Sequence, residues 1–480
     1  MAKKNELPAL IASLFLTVAL LGAGAWWLRS RLFAEGGGSV TGQTSDQTAG
    51  QVSGGAASGR SLQGSVGGAD GTAGRSVLPI AASAVKQKGL DALAAGDYDT
   101  AKVEFTTALA ENRNDPESLI YLNNAEIGDA PAYTIAVVVP AGSAVSAAEE
   151  IMRGAAQAQA DINGVGGISG TPLKLLLIND NDEVDEARAV ADALVKAPDV
   201  LGVVGHFSSG TTLAVSEIYE AGALPMISPT STAVRIADAG DYIFRTVPSD
   251  RLAAATLSRY VLNELEKQSA AVFHTSESAY SQSVKSEFTT ELLSNGGEVV
   301  ADFDVSEPGF SAGRAVQSAK ESGADVIMLA LNTATIDAAN QIIAVNQRSL
   351  PMVGGDSLYN PKVLDVGRAN AQGLTVAVPW HILSHEQSPF VSESRRLWGG
   401  DVNWRTATAY DAVQALAAGL TQQPNREGLA SALAASGLSI EGATDPIRFL
   451  PTGDRNQPSQ LVEVVPGPRS GSGFDYVPVQ

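Results

Sequence analysis

Cysteine is absent from the 480-residue chain, which excludes disulfides, thiolate chemistry, zinc–thiolate sites and a lipid-anchored N-terminal cysteine. Basic residues are scarce, with 32 Lys and Arg against 52 Asp and Glu and a formal net charge of -20. Binding of nucleic acid rests on clustered Lys and Arg that neutralise phosphates, so a nucleic-acid partner is not expected. The acidic balance mainly serves solubility. Histidine is limited to His206, His274, His381 and His385. No pair of them carries a metal-ligand motif such as H-E-x-x-H, so each reads as structural and neither a metal nor a cofactor is expected.

Several motifs are present only with a decisive residue missing. "GHFSSGTT" at 205–212 approaches a phosphate-binding P-loop, but Thr211 stands where the lysine that reaches the terminal phosphates should be. Ser208 and Ser209 fail as hydrolase nucleophiles, because the elbow G-x-S-x-G needs glycine two positions earlier and His206 and Phe207 stand there. "DNDEVDE" at 180–186 gathers carboxylates like a calcium loop, yet Val184 and Asp185 replace a ligand and the required glycine. It reads instead as an acidic strand end entering a helix N-terminus, where carboxylates suit the dipole. "GVGGISG" at 164–170 follows a helix rather than a strand and is a turn, not a dinucleotide fingerprint. No nucleophile–base pair survives, which argues against an enzyme.

What is there is a set of small hydroxyl residues at strand-to-helix turns: Ser208, Ser209, Thr211 and Thr212, then "SPTST" at 228–232. Hydroxyls and free amides at helix N-termini suit a singly charged carboxylate that needs no lysine. Asp356, after the run "PMVGG", is placed to pair with an ammonium. Together these residues fit the two charged ends of an amino acid.

The chain divides by texture. Within 1–34, the uncharged run "LPALIASLFLTVALLGAGAWWL" at 7–28 is long enough, at roughly 33 Å as a helix, to cross a bilayer. Lys3 and Lys4 precede it and Arg29 and Arg31 follow, so the positive-inside rule assigns no orientation. "AGA" at 23–25 resembles a signal-peptidase site, whereas Trp26, Trp27 and Arg29 suit an interfacial anchor. An uncleaved anchor is the preferred reading and a cleaved signal the alternative; both place the remainder outside the cytoplasm, in the periplasm. Residues 35–78, rich in Gly, Ser, Ala and Thr, bury too little to offset ordering and form a flexible linker. Over 79–130 apolar residues recur at helical spacing, and Gly89, Gly96, Tyr98, Ala101, Phe105 and Ala108 resemble a tetratricopeptide repeat, with Pro116 about three residues late. A helical pair packed on its neighbour and a peptide-binding groove both remain open.

Over 131–467, apolar runs such as "YTIAVVVP", "LKLLLIND", "VLGVVGH" and "DVIMLALN" alternate with amphipathic stretches. This predicts parallel strands covered on both faces, an α/β doubly wound architecture. Its length predicts two lobes, about 131–249 with 384–438 and about 250–380 with 443–467, and leaves 468–480 as a tail. Ligand belongs in the crevice between them.

Residues 133 to about 467 resemble the type I periplasmic solute-binding proteins, in particular the branched-chain (Leu/Ile/Val) branch of ABC transport systems. The stretches that carry the resemblance are "GAAQAQADINGVGGISGTPL", "LGVVGHFSSGTTLAVSEIYEAGALPMISPTST", "FRTVPSD" and "TATAYDAVQAL". The resemblance implies that Ser209 holds the ligand carboxylate and that Thr230 and Thr232 contact carboxylate and ammonium. It implies that Tyr280 is a contact from the second lobe and that Asp356 pairs with the ammonium. Leucine-type members usually have Glu at that position; the shorter Asp implies tighter closure or an intervening water. Ser208 joins the set at the same turn. Ala147, Asn332 and Thr333 stand where aromatics usually wall the side-chain pocket, implying a wider, more polar pocket with Asn332 in it. The implied ligand is an amino acid or small amide, and the implied partner is an ABC permease. The implied mechanism is hinge closure across three crossings near 248–251, 380–385 and 437–444. The competing reading is a membrane-tethered interaction or sensor protein that uses the same lobes to contact a partner, as outer-membrane activators of peptidoglycan synthases do.

Overall fold

The computed structural model describes residues 75–479. The membrane segment expected at 7–28 and nearly all of the linker expected at 35–78 lie outside the described residues. No helix among the described residues is long and apolar enough to cross a membrane.

The described chain opens with three helices, α1 (Ala84–Ala94), α2 (Tyr98–Glu111) and α3 (Pro116–Ile127). Each starts at a residue whose side chain accepts a hydrogen bond from the amide three positions on: Ser83, Asp97 and Asp115. Such caps satisfy a donor that the helix itself leaves orphaned. Leu90 and Phe105 are fully buried where α1 and α2 meet. A buried charge cluster locks the entry: Lys86 Nζ lies 2.9 Å from Asp115 and 2.7 Å from Glu117. Glu117 also accepts from the Val77 amide at 2.6 Å.

Lobe 1 follows as β1 (Tyr133–Val139), α4 (Val145–Gly164), β2 (Leu173–Asn179), α5 (Val184–Val195), β3 (Val200–Val204), α6 (Ser209–Ala221), β4 (Met226–Ser228) and β5 (Ile243–Arg245). Its strands form a parallel sheet in the order β2-β1-β3-β4-β5. Lobe 2 comprises α7 (Asp250–Arg259), β6 (Ser269–His274), α8 (Ala279–Ser294), β7 (Glu298–Asp304), α9 (Ala312–Glu321), β8 (Val326–Ala330), α10 (Ile336–Asn346), β9 (Met352–Gly354) and β10 (Thr375–Val378). The chain then returns to lobe 1 as α11 (Pro389–Trp398), α12 (Trp404–Gln422) and α13 (Arg426–Leu433), and ends in lobe 2 with β11 (Gln460–Pro466) and β12 (Phe474–Pro478). The second sheet runs β12-β11-β10-β9-β8-β6-β7, parallel except for the last two strands. The long β-branched runs are buried on both faces, as in β8 from end to end, which is why they pair in parallel beneath helices.

Two boundaries differ from the sequence reading. The stretch expected as a tail at 468–480 carries β12, which pairs antiparallel to β11, and its Tyr476 hydroxyl donates to the Leu358 carbonyl at 2.6 Å. The third crossing lies after Arg455 rather than at 437–444. Residues 449–455 still run along lobe 1, where the Arg245 amide donates to the Gly453 carbonyl at 3.0 Å and Arg245 Nε to Asp454 at 2.7 Å. Neither turn nor periodicity signals a strand held by a distant edge.

The N-terminal helices are fastened to lobe 1. Asn124 of α3 donates to the Leu175 carbonyl of β2 at 2.8 Å and accepts from Gln159 of α4 at 2.9 Å. Within lobe 1, α4 and α12 approach backbone to backbone at Gly154, where a Cβ would stand 2.2 Å from the Thr406 carbonyl oxygen and 2.7 Å from the Tyr410 amide. Gly154→Ala, normally worth about 1 kcal/mol in favour of a helix interior, is therefore expected to destabilise by roughly 1–3 kcal/mol through overpacking. Urea denaturation of the variant measures it; a gain in stability would show that the helices can separate freely.

Candidate functional site

In open α/β sheets, ligands bind beyond the carboxyl ends of the strands, at the point where strand order reverses. That point lies between β1 and β3 in one lobe and between β6 and β8 in the other, and a cavity of about 120 Å³ lies between the lobes at these ends.

From lobe 1 the cavity is walled by the start of α6. Ser208 is the cap residue, its Oγ accepting from the Thr211 amide at 3.3 Å, and Ser209 is the first helical residue. The first amides of a helix have no intrahelical acceptor, and this start therefore offers donors to an anion. Ser209 Oγ accepts from the Ala233 amide at 3.2 Å, which ties the helix start to the 228–233 loop. Thr230 Oγ1 donates to the Phe207 carbonyl at 2.6 Å, and Ser228 Oγ donates to the His206 carbonyl at 2.9 Å. The hydroxyl-rich turns are thus laced to each other. Behind them His206 is fully buried, with Nδ1 2.5 Å from Asp180 and Nε2 2.9 Å from the Tyr219 hydroxyl, a structural clamp without access to the cavity.

From lobe 2 come Tyr280, near the start of α8, and Asp356, just after β9. The Tyr280 hydroxyl accepts from the Ser357 amide at 3.4 Å. Gly355 makes this approach feasible, since a Cβ there would fall 2.3 Å from that hydroxyl. Asn332 caps a short turn by accepting from the Thr335 amide at 3.1 Å, and its side chain borders the cavity.

Of the residues singled out from sequence, Ser208, Ser209, Thr230, Tyr280, Asn332 and Asp356 line the cavity together. Thr232 stands one layer behind, its carbonyl accepting from the Asp250 amide at 2.9 Å. Ala147, read as standing in place of an aromatic wall, lies within α4 and is not among the lining residues, whereas Ser143 and Ala144 are. Among the lining residues not singled out from sequence are Asp182, Trp404 and Arg405. Asp182 accepts from the Ser208 amide at 3.3 Å and from Thr211 Oγ1 at 2.9 Å, with burial holding its carboxyl above the ordinary range. Trp404 and Arg405, at the start of α12, complete the wall, and the guanidinium carbon lies 4.2 Å from the indole centroid. The "DNDEVDE" run was the available signal for Asp182; for the other two only the helix start was.

Two buried carboxyls, Asp356 in the cavity wall and Asp250, interact through their charge. Burial raises Asp356 to about 6, with Arg405, Tyr280 and Ser357 pulling it partly back. Burial raises Asp250 to about 7, helped by the charge of Asp356 and opposed by Ser283, Thr232 and Arg245. For a carboxyl raised in the folded state, the contribution to stability is fully present below the unfolded value near 4 and is lost as pH rises through the folded value. The empty protein should therefore lose this contribution between about pH 4 and 7. A bound ammonium keeps Asp356 ionised and removes its share of the loss. The ligand-induced rise in Tm is accordingly expected to grow as pH increases through about 6, measured by calorimetry with and without saturating amino acid; a rise independent of pH from 5 to 7.5 would contradict it.

The comparisons with known proteins bear on the family and the two-lobed fold. The family model described as "Periplasmic binding protein" matches residues 132–471. The chain is similar to the Leu/Ile/Val-binding protein homolog 3 of Brucella melitensis, with 27% identity over 341 residues, 68% of this chain and 89% of that one. It is also similar to an amino acid binding protein of Pseudomonas aeruginosa, 37% identical over 134 residues, 28% of this chain and 36% of that one. Among solved structures, the ABC transporter substrate-binding protein of Desulfitobacterium hafniense in complex with Leu superposes with a TM-score of 0.62 at 25% identity, covering 72% of this chain and all of that one.

Proposed function

Because the chain belongs to the periplasmic binding protein family, as the match over 132–471 establishes, we propose that it is the extracytoplasmic receptor of an ABC-type amino-acid transport system. It is a solute-binding protein and not an enzyme. The observation that carries the ligand class is the pairing across one cavity of a helix start rich in hydroxyls and free amides, Ser208 and Ser209, with a buried carboxyl, Asp356. The first suits a carboxylate and the second an ammonium. In this reading Ser209 and Thr230 hold the carboxylate, Asp356 the ammonium, and Tyr280 and Asn332 the ligand body, while Thr232 supports them from behind. Closure of the lobes on the ligand shifts an open–closed equilibrium and presents the closed surface to a membrane permease.

The reading also includes an anchor at 7–28 that tethers the receptor outside the cytoplasm, and a tetratricopeptide-like hairpin formed by α1 and α2. The test is a thermal-shift screen of the full-length protein against the twenty amino acids, small amides and short peptides. A ligand that binds only the folded state raises Tm. A shift with amino acids that Ser209→Ala abolishes would support the receptor; silence across the panel, with ligand carry-over checked, would overturn it in favour of a protein partner.

A further inference from the structure

Arg405 is 6% exposed, lines the cavity and makes no ion pair among the described residues; its Nε has no hydrogen-bond partner. Trp404 beneath it lines the same cavity and likewise leaves its Nε1 without a partner. A buried guanidinium ordinarily spends its donors on carboxylates or carbonyls, because unpaired burial is expensive. Arg245 and Arg455 also leave one nitrogen each without a partner, yet both spend other donors in that way: Arg245 donates to Asp454 and to the Ala233 carbonyl, and Arg455 to Asp411. Arg405 is the buried guanidinium at the ligand wall whose hydrogen-bonding capacity is left for something else. Asp356, Glu150, Tyr280 and Tyr359 act on it through space, with Asp356 foremost, but none forms a close pair with it. Asp182 also borders the cavity, but its carboxyl accepts from the Ser208 amide and Thr211 Oγ1 and is raised above its ordinary range by burial. The recognition points left for a ligand are the α6 start for one anion, Asp356 for a cation, and Arg405 for a second anion.

Resting on the reading of the cleft as an amino-acid site, we propose that Arg405 is a specificity-determining residue that receives a side-chain carboxylate, so that the preferred ligand class is acidic amino acids rather than aliphatic ones. A guanidinium matches a carboxylate with two parallel N–H···O bonds, whereas a single ammonium does not offer that fork. An aliphatic side chain in the same place would leave Arg405 buried and unpaired in the closed form, a penalty that discriminates against leucine, isoleucine and valine.

The experiment is calorimetric titration of the full-length protein with glutamate, aspartate, glutarate and leucine, repeated for Arg405→Gln and Arg405→Lys. The wild type is expected to prefer glutamate or aspartate to leucine by on the order of 30-fold or more. Arg405→Gln is expected to reduce that ratio to near one, and Arg405→Lys to restore part of it. Because Arg405 has no close partner in the empty protein, Arg405→Gln should leave the Tm of the empty form unchanged or raised. Glutarate, which lacks the ammonium, should bind more weakly than glutamate. Equal affinities for leucine and acidic ligands, or a ratio untouched by Arg405→Gln, would overturn this assignment while leaving the amino-acid receptor standing. A lowered Tm of empty Arg405→Gln with the ratio preserved would make Arg405 a counter-charge for Asp356 and also overturn it. Failure of every amino acid to bind the wild type would overturn the receptor reading and this one with it.

Discussion

Asp356→Ala is expected to lower the affinity for a free amino acid by roughly 30- to 1,000-fold, the usual consequence of removing one partner from a buried, hydrogen-bonded charge pair. The carboxyl sits at the end of β9 and is raised to about 6, so at pH 7.5 it is mostly ionised but held at a cost by its burial. An ammonium in the cavity offsets that cost; without Asp356 the ammonium would itself be buried unpaired when the lobes close. The same shift separates loss of binding from loss of fold. Since the ionised carboxyl opposes folding at neutral pH, Asp356→Asn should leave the empty protein at least as stable as the wild type while binding just as poorly as alanine. Titration calorimetry and thermal denaturation of both variants give the two readouts. Equal dissociation constants in wild type and variants would remove Asp356 from the site.

Arg245→Met should cost about 3–5 kcal/mol of folding stability, the range for stranding one half of a buried ion pair. Arg245 ends β5 with no exposed surface. Its Nε donates to Asp454 at 2.7 Å, and one terminal nitrogen donates to the carbonyls of Ser231 at 3.3 Å and Ala233 at 2.8 Å. It thereby joins the loop that carries Thr230 to the segment that makes the third crossing. Methionine would leave the Asp454 carboxylate and two carbonyls without their donor, so ligand affinity should fall together with stability. The double variant Arg245→Met, Asp454→Asn should recover part of the stability, because no lone charge then remains. Urea denaturation of the two single variants and the double variant decides it; a loss under about 1 kcal/mol in Arg245→Met would mean that water replaces the pair.

How much of this was readable in advance depended on whether the determining contacts were local. Strands such as β1 and β8 announce themselves by short, largely apolar runs, and the turns after β3 and β4 by their hydroxyls, since both signals lie within a few residues. Asp356 was legible for the same reason, as an acid directly after a strand. Arg405 was not: at the start of a helix an arginine looks solvated, whereas here it is buried at the cleft and feels the charges of lobe 2 residues such as Asp356 and Tyr280, far away in sequence. Asp250 stands one residue after a cap and looks like an ordinary first-turn acid; its burial, with the charges of Asp356 and Arg245 acting on it, sets it apart. The strand β12 carries a short run after a glycine-rich turn, and its pairing requires β11 to have reached lobe 2 first. Asn332 and Thr333 were read as polar replacements in the pocket wall, and they do border the cavity.

The three N-terminal helices are held to lobe 1, through Asn124 to β2 and through Arg113, which donates to the carbonyl of Arg395 at 2.9 Å near the end of α11. The last strand belongs to lobe 2. The two ends of the described chain are therefore attached to opposite jaws. In the proposed hinge closure, a pull between these two ends acts across the cleft. A ligand that bridges the jaws becomes a mechanical fastener, and the force needed to part them becomes a measure of how firmly it is held.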